Sequence, residues 1–361
     1  MKIGISAAET SGDLIASKLI EAIRSQTPNA KFQGMAGEKM SDAGCDCLWD
    51  QNLANVMGYS EVIKKLPSLL RLRRDIIEHF SRNKPSVFIG VDAPDFNFVI
   101  EKKLKKVGIK TVHFVSPSVW AWRKKRINKI KKSTDLVLCV FPFEVDYYQK
   151  NGQNAVFVGH PLAQELGPRV GHTESKVILL MPGSRDSEVR KLLPELLAAA
   201  RIILQKDREL TFKLVLANNS MLEWSKQQAN DLNIDISVGD AYYWINKSDL
   251  VLVASGTATL EVALVGVPMV VVYKLSYLSY LIVSRMINSE YVSLPNVIAN
   301  KPLVPELIQD EANGANIAEH AIEILTRDNS SLIRDLASIH SQLKVDFSSE
   351  SAKAVFELIN D

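Results

Sequence analysis

Short apolar runs alternate with helical stretches along most of the chain, and this alternation constrains the fold more than any composition figure. Residues 2–6, 87–91, 111–115, 136–140 and 155–158 read as strands, because each run is brief and rich in branched apolar residues on successive positions. Helical segments such as 12–25 and 144–151 lie between them. Strand followed by helix, repeated, predicts a parallel sheet covered on both faces. The polar stretch "ELGPRVGHTESK" (165–176) breaks the rhythm, which restarts at 176–181 and continues at 211–217, 250–254 and 269–273. At 361 residues the chain is too long for one ordinary core. The expected architecture is therefore α/β, with two Rossmann-like doubly wound domains in tandem, 1–165 and 166–344. From Glu311 onward the pattern is helical, and the segment from about 345 to 361 is expected to return and complete the first domain.

Several function classes are disfavoured. Net charge is +2, from 43 basic and 41 acidic side chains, so no global field favours nucleic acid. Cys45, Cys47 and Cys139 lack paired zinc-site spacing and read as free thiols. The opening "MKIGISAAETSGD" has too short an apolar run for a signal-peptide core, and no window approaches 18 uninterrupted apolar residues. A cytoplasmic protein is expected, with attachment to a membrane surface left open. His79, His172, His320 and His340 lack ligand spacing, whereas His113 and His160 fall near expected sheet edges.

Candidate chemistry begins with "VFIGVDAPDFNFVI" (87–100), where a strand delivers Asp92 to the sheet edge used for ligands in open parallel sheets. Two readings stand side by side: Asp92 as a reacting carboxylate, or Asp92 as N-cap, with Pro94 and Asp95 in the first turn of the next helix. The second half offers two phosphate-like turns. In "LLMPGSRDSEV" (179–189), Gly183 permits close approach and Arg185 presents a fork suited to phosphate. In "DLVLVASGTATLEVALVGVPMVVVY" (249–273), Ser255, Gly256 and Thr257 open a helix that suits a diphosphate, and Glu261 on the same face suits ribose hydroxyls. The alternative is an ordinary Ser/Thr-capped turn with a solvated Glu261. Neither turn is a Walker loop or a dinucleotide fingerprint.

A basic amphipathic segment, "SEVIKKLPSLLRLRRDI" (60–76), sets Val62, Leu66 and Leu69 on one stripe with Arg71 and Arg73 beside it; it suits an anionic membrane surface or a core-facing helix. Pro67 is expected to divide it. "SPSVWAWRKKRINKIKK" (116–132) adds Trp120 and Trp122 to a dense basic run.

Taken in order, "ETSGD", "VMGYSEV", "GVDAPDFN", "VSPSVWAWRKKR", "PFE", "GHPL", "PGSR", "ASGTATLE", "VVYK" and "YVSLPN" resemble the lipid-A-disaccharide synthase family across nearly the whole chain. The resemblance implies a two-domain glycosyltransferase B fold, with the two domains facing across a cleft. It further implies transfer, with inversion, of 2,3-diacylglucosamine from UDP-2,3-diacylglucosamine to 2,3-diacylglucosamine 1-phosphate. By position it places a general base on Asp92, a phosphate-contacting arginine on Arg185 and a functional asparagine on Asn296. It also implies peripheral attachment at the inner face of the inner membrane through an anionic surface. Ala8 stands where family members commonly carry Gly. Under this reading Ser255, Gly256, Thr257, Glu261, Arg185 and Asn296 bind the donor, while Val62, Leu66, Leu69, Arg71, Arg73, Trp120 and Trp122 meet acceptor or membrane. Neither a metal nor a cofactor is expected, because a phosphate-binding site of helix N–H groups and guanidinium requires no metal. No nucleic-acid partner is expected, and homodimer formation is left open. The competing expectations are a UDP-sugar 2-epimerase-like enzyme and a non-catalytic membrane-associated binding protein.

Overall fold

The computed structural model describes residues 1–54, 59–117, 126–169, 171, 175–275 and 290–361, with residues 59–65 described only as part of a helix. It divides into two compact units, Met1–Pro161 with Leu343–Asp361, and Leu162–Gln342.

The first unit holds seven strands: β1 (Lys2–Ala7), β2 (Lys31–Ala36), β3 (Cys45–Asp50), β4 (Val87–Val91), β5 (Lys110–Phe114), β6 (Leu136–Cys139) and β7 (Ala155–Phe157). Their order in the sheet is β3-β2-β1-β4-β5-β6-β7. Every pairing is parallel. The central strands are apolar on both faces because helices cover both. The helices Thr10–Gln26 and Phe347–Asn360 pack with Ile5, Ile89 and Val91 on one side. There Phe114 stacks on Phe347 at 5.2 Å, so the carboxyl-terminal helix belongs to this core. The opposite face joins Phe80 and Ile76 of the helix Tyr59–Asn83 to Phe88 and to Ile100 of the helix Pro94–Lys106. Pro67 lies inside the helix Tyr59–Asn83, which runs unbroken through it, contrary to the expected division.

The second unit has six parallel strands: β8 (Val177–Met181), β9 (Thr211–Leu216), β10 (Ile234–Val238), β11 (Leu250–Ala254), β12 (Met269–Tyr273) and β13 (Glu306–Ile308), ordered β10-β9-β8-β11-β12-β13. Four strands were not expected from sequence: β2, β3, β10 and β13. Three of them are outer strands with a mixed polar pattern, as "CDCLWD" shows, and β2 neighbours such an edge. Among the described residues, the chain after Glu311 forms three helices, Gly314–Thr326, Ser330–Leu343 and Phe347–Asn360. No described helix is long and apolar enough to cross a membrane.

The "ETSGD" segment shows how a polar motif can serve the fold. Asp13, 2% exposed, accepts hydrogen bonds from the backbone N–H groups of Gly37 (2.8 Å), Lys39 (3.0 Å) and Met40 (3.2 Å), which tie the turn after β2 to the first helix. Asp13→Ala is expected to lower the unfolding free energy by about 2 kcal/mol in urea titrations. A loss below about 0.5 kcal/mol would show that the turn is held by other contacts.

Candidate functional site

Both sheets reverse their order at one point: β1 has β2 and β4 as neighbours, and β8 has β9 and β11. Crevices open outside the carboxyl ends of strands at such switch points. Each candidate site lies at one of them.

In the first unit, β4 ends in a strained turn. Asp92 (φ 52°) and Ala93 (φ 41°) are consecutive left-handed residues without being glycine, and Val115 (φ 72°) at the end of neighbouring β5 is a third. Such conformations cost about 1–3 kcal/mol each and persist where the surroundings over-determine them. The clamp is Asn97, which is fully buried. Its Nδ2 donates to the carbonyls of Asp92 (2.9 Å), Val91 (3.2 Å) and Ser6 (3.3 Å), and its Oδ1 accepts from Ser6 Oγ (2.9 Å). The capping alternative for Asp92 does not hold. Ala93 occupies the N-cap position of Pro94–Lys106, and the Asp92 carboxylate instead accepts from Ala93 N–H at 2.8 Å. Ser11 Oγ donates weakly to the other carboxylate oxygen at 3.5 Å. Burial and then the Asp92 charge hold the Glu9 carboxyl, which follows β1, above its usual range.

Asp95 has a different role. It lies in the helix's first turn and takes Arg126 Nη2 on both oxygens at 2.6 and 2.7 Å. Partial burial works against its ionisation, but the Arg126 hydrogen bond and the Arg126 and Lys129 charges prevail and hold its carboxyl below the usual range.

In the second unit, a pocket of about 310 Å³ opens at the ends of β8, β9, β10 and β11. Ser255, Gly256, Thr257 and Glu261 line it together with Gly183, Ser184 and Glu188, and Val215 and Leu216 add an apolar wall. The helix Thr257–Val265 starts without a side-chain cap, which removes the alternative of a Ser/Thr-capped turn and leaves orphan N–H groups with the positive end of the helix dipole. Gly256 at φ 151° sets that approach. Glu261 is half-buried, makes no hydrogen bond among the described residues, and is held above the usual carboxylate range by burial.

The first turn is less free than its sequence suggests. Glu188 Oε2 accepts from Ser184 N–H (3.2 Å) and Arg185 N–H (3.3 Å), while Oε1 accepts from Arg185 Nη1 (2.7 Å). Gly183 is required there, because φ is 111° and a Cβ would come within 2.7 Å of Glu188 Oε2. Arg185 is exposed and does not line the pocket, although its neighbours do. Glu188 was missed by the sequence reading; its signal was the acidic residue at the third helical position, the spacing of a capping box.

Asn296 is held within its own loop and does not line the pocket. It is 1% exposed, and its amide is fully engaged by the chain: Nδ2 donates to Val304 O (2.9 Å) and Glu306 Oε1 (2.8 Å), and Oδ1 accepts from Leu303 N (2.9 Å) and Val304 N (3.0 Å). The structure does not bring it to the pocket lining; it fixes the "YVSLPN" loop on Glu306, which also holds Ser293.

The amphipathic helix divides its expected contacts. Leu69 packs on the core with Leu72 and Ile76, whereas Leu66 and Leu70 are 46% and 53% exposed beside exposed Arg71. Arg73 is tied into the fold rather than free for a headgroup: it donates to Asp95 O at 2.9 Å and its guanidinium sits 5.1 Å from the Phe96 ring centroid. Burial holds its pKa below the ordinary value. The Val62 side chain, Trp120 and Trp122 lie outside the described residues.

The profile of the family described as lipid-A-disaccharide synthetase matches residues 3–359. The chain belongs to that family. A lipid-A-disaccharide synthase of Pseudoalteromonas translucida is 42% identical over 378 residues, covering 100% of this chain and 98% of the relative. The family makes the chain a lipid A glycosyltransferase. Among solved structures, the calicheamicin glycosyltransferase CalG4 aligns with a TM-score of 0.63 at 13% identity, covering 99% of this chain and 98% of its own. A UDP-GlcNAc 2-epimerase from Neisseria meningitidis bound to UDP-GlcNAc aligns with a TM-score of 0.60 at 12% identity, covering both chains fully. These two distant likenesses establish the glycosyltransferase B type of fold.

The Glu261 environment yields a stability test. Its folded-state pKa lies above the unfolded value, so the folded chain binds more protons between them, and stability falls as pH rises through that window and stays lower above it. Glu261→Gln is therefore expected to raise the urea midpoint at pH 7 and to match wild type once the carboxyl is protonated in both states, below about pH 4. A midpoint at pH 7 below wild type would show that the ionised carboxylate is stabilising.

Proposed function

We propose that the chain transfers 2,3-diacylglucosamine from UDP-2,3-diacylglucosamine to the 6-hydroxyl of 2,3-diacylglucosamine 1-phosphate, with inversion at the anomeric carbon, giving the β-1,6-linked disaccharide monophosphate and UDP. Family membership supports the reaction class. The observation that carries the donor assignment is the second-unit pocket, where an uncapped helix start and a half-buried Glu261 without a partner among the described residues lie together at the switch point.

In this reading the diphosphate lies against the start of Thr257–Val265, with the Ser255 and Thr257 hydroxyls beside it. Charge that builds on the departing phosphate oxygen meets N–H groups that are already oriented. Glu261 accepts from ribose hydroxyls and thereby recovers part of the cost of its burial. Arg185 exchanges its exposed ion pair with Glu188 for phosphate oxygens, an exchange of small cost because surface pairs contribute little. Asp92 takes the proton of the acceptor 6-hydroxyl as its oxygen bonds to the anomeric carbon and the bond to UDP breaks. A single displacement of this kind inverts the centre. Asn296 acts through Glu306 and the loop they hold, not as a donor ligand.

Peripheral attachment is proposed through the exposed part of the helix Tyr59–Asn83. Leu66 and Leu70 offer apolar surface, and Arg71 supplies charge worth about 1 kcal/mol near an anionic leaflet. The inner face of the inner membrane is the proposed location. The paired change Leu66→Ser and Leu70→Ser is expected to weaken partition onto anionic liposomes about tenfold while leaving the unfolding midpoint in place. Unchanged partition would move the contact elsewhere on the chain.

The epimerase reading rests on fold likeness alone, and acceptor dependence separates it from transfer. With UDP-2,3-diacylglucosamine as donor, UDP release is expected only when 2,3-diacylglucosamine 1-phosphate is present. Asp92→Asn is expected to reduce that release by about 10²–10⁴-fold with UDP affinity retained. Release that ignores the acceptor returns the epimerase class, and release that ignores the substitution removes Asp92 as the base.

A further inference from the structure

The sheet-facing side of Pro94–Lys106 carries two polar residues one turn apart, Asn97 and Glu101, both fully buried. Glu101 Oε1 lies 2.7 Å from Nδ1 of His113, which is also fully buried, so the two side chains share a hydrogen bond whose donor is set by the imidazole tautomer. His113 sits on β5 in register with Gly90 of β4, so the two face the helix side by side. Gly90 makes the room for this: a Cβ there would collide with Glu101 Oε1 and stand 2.9 Å from Asn97 Cβ. The His113 ring packs on Phe98 with centroids 4.2 Å apart. Among the described residues, Glu101 Oε2 and His113 Nε2 have no hydrogen-bond partner.

Placing a carboxyl and an imidazole in an apolar layer, with one polar atom of each unsatisfied, is costly, and two apolar side chains of similar volume commonly fill such a space at no loss of stability. Stability alone therefore does not explain the pair. Its position does suggest a reason. Asn97, one turn toward the helix start, holds the carbonyls of Val91 and Asp92 and so maintains the left-handed turn that presents the Asp92 carboxylate. The Glu101–His113 bond fixes the rotation and height of the helix over β4 and β5, and with them the reach of Asn97.

We propose that Glu101 and His113 are positioning residues for Asp92, acting through Asn97; the inference rests on Asp92 being the base. Neither touches substrate. Their directional bond locks one helix orientation where an apolar contact would permit several.

The test compares a double apolar replacement, Glu101→Leu with His113→Leu, with Asp92→Asn in the full chain, measuring acceptor-dependent UDP release, donor KM, UDP affinity and unfolding midpoint. The double variant is expected to unfold at or above the wild-type midpoint and to keep UDP affinity and donor KM, while kcat falls about tenfold or more, the scale of a base displaced by a fraction of an ångström. Wild-type kcat in the folded double variant, with Asp92→Asn inactive, overturns the positioning role and leaves the base assignment standing. Full turnover by Asp92→Asn overturns both. If the double variant does not fold, the contrast between His113→Asn and His113→Gln decides: asparagine retains a donor near the Nδ1 position and is expected to recover most of the turnover lost in the glutamine variant. Equal kcat in the two overturns the proposal.

Discussion

Parallel pairing of every strand is the constraint from which the rest of the molecule follows. A parallel strand is regained only through a crossover, and crossovers of one hand place successive strands outward on one side until the chain returns to the centre and builds toward the other. At that return, between β1 and β4 and again between β8 and β11, the connections leave the strand ends in opposite directions, so a crevice opens without any residue being spent to make it. Strained backbone lies at the first of these points and polar groups without a partner among the described residues lie at the second. Asp92 and Ala93 are left-handed at the first, while Glu261 and an uncapped helix start lie at the second.

The central strands were legible in sequence because burial on both faces makes each a continuous apolar run, as "VFIGV" and "LVLVA" show. The outer strands were not, since "CDCLWD" and "IDISV" have an open side and carry polar residues that resemble loop. Of the site, the residue types and their turns could be read, but not which backbone donors were already in use. Gly183-Ser184-Arg185 and Ser255-Gly256-Thr257 look alike as phosphate turns. The structure separates them, because Glu188 takes two N–H groups of the first and no side chain among the described residues caps the second. Asn296 illustrates the same limit: a family asparagine at the right position serves as a structural amide once its four partners are seen.

Polar residues in this chain therefore fall into two sets. Asp13, Asn97, Asn296 and Glu306 are buried or half-buried and surrounded by donors or acceptors from distant segments, so each fixes loops that apolar packing would leave loose. Directional bonds suit that purpose because they specify one geometry, whereas apolar contacts tolerate several. Glu261, Ser255 and Thr257 line the pocket, and their side chains make no hydrogen bond among the described residues.

The same division explains why strain is tolerated after β4. A left-handed turn at Asp92 and Ala93 would relax if its carbonyls were free, because extended geometry is open to both residues. It is held because Asn97 binds the carbonyls on either side of the β4 end, and Asn97 is itself held by Ser6 on the neighbouring strand across the switch point. In the proposed transfer, a carboxylate presented on such a turn would lose little orientational freedom on meeting a hydroxyl, so the cost of ordering it would be met during folding and not at the moment of reaction. The strained strand end is thus a consequence of the clamp beneath it, and the clamp exists only where two parallel strands of opposite crossover direction lie side by side.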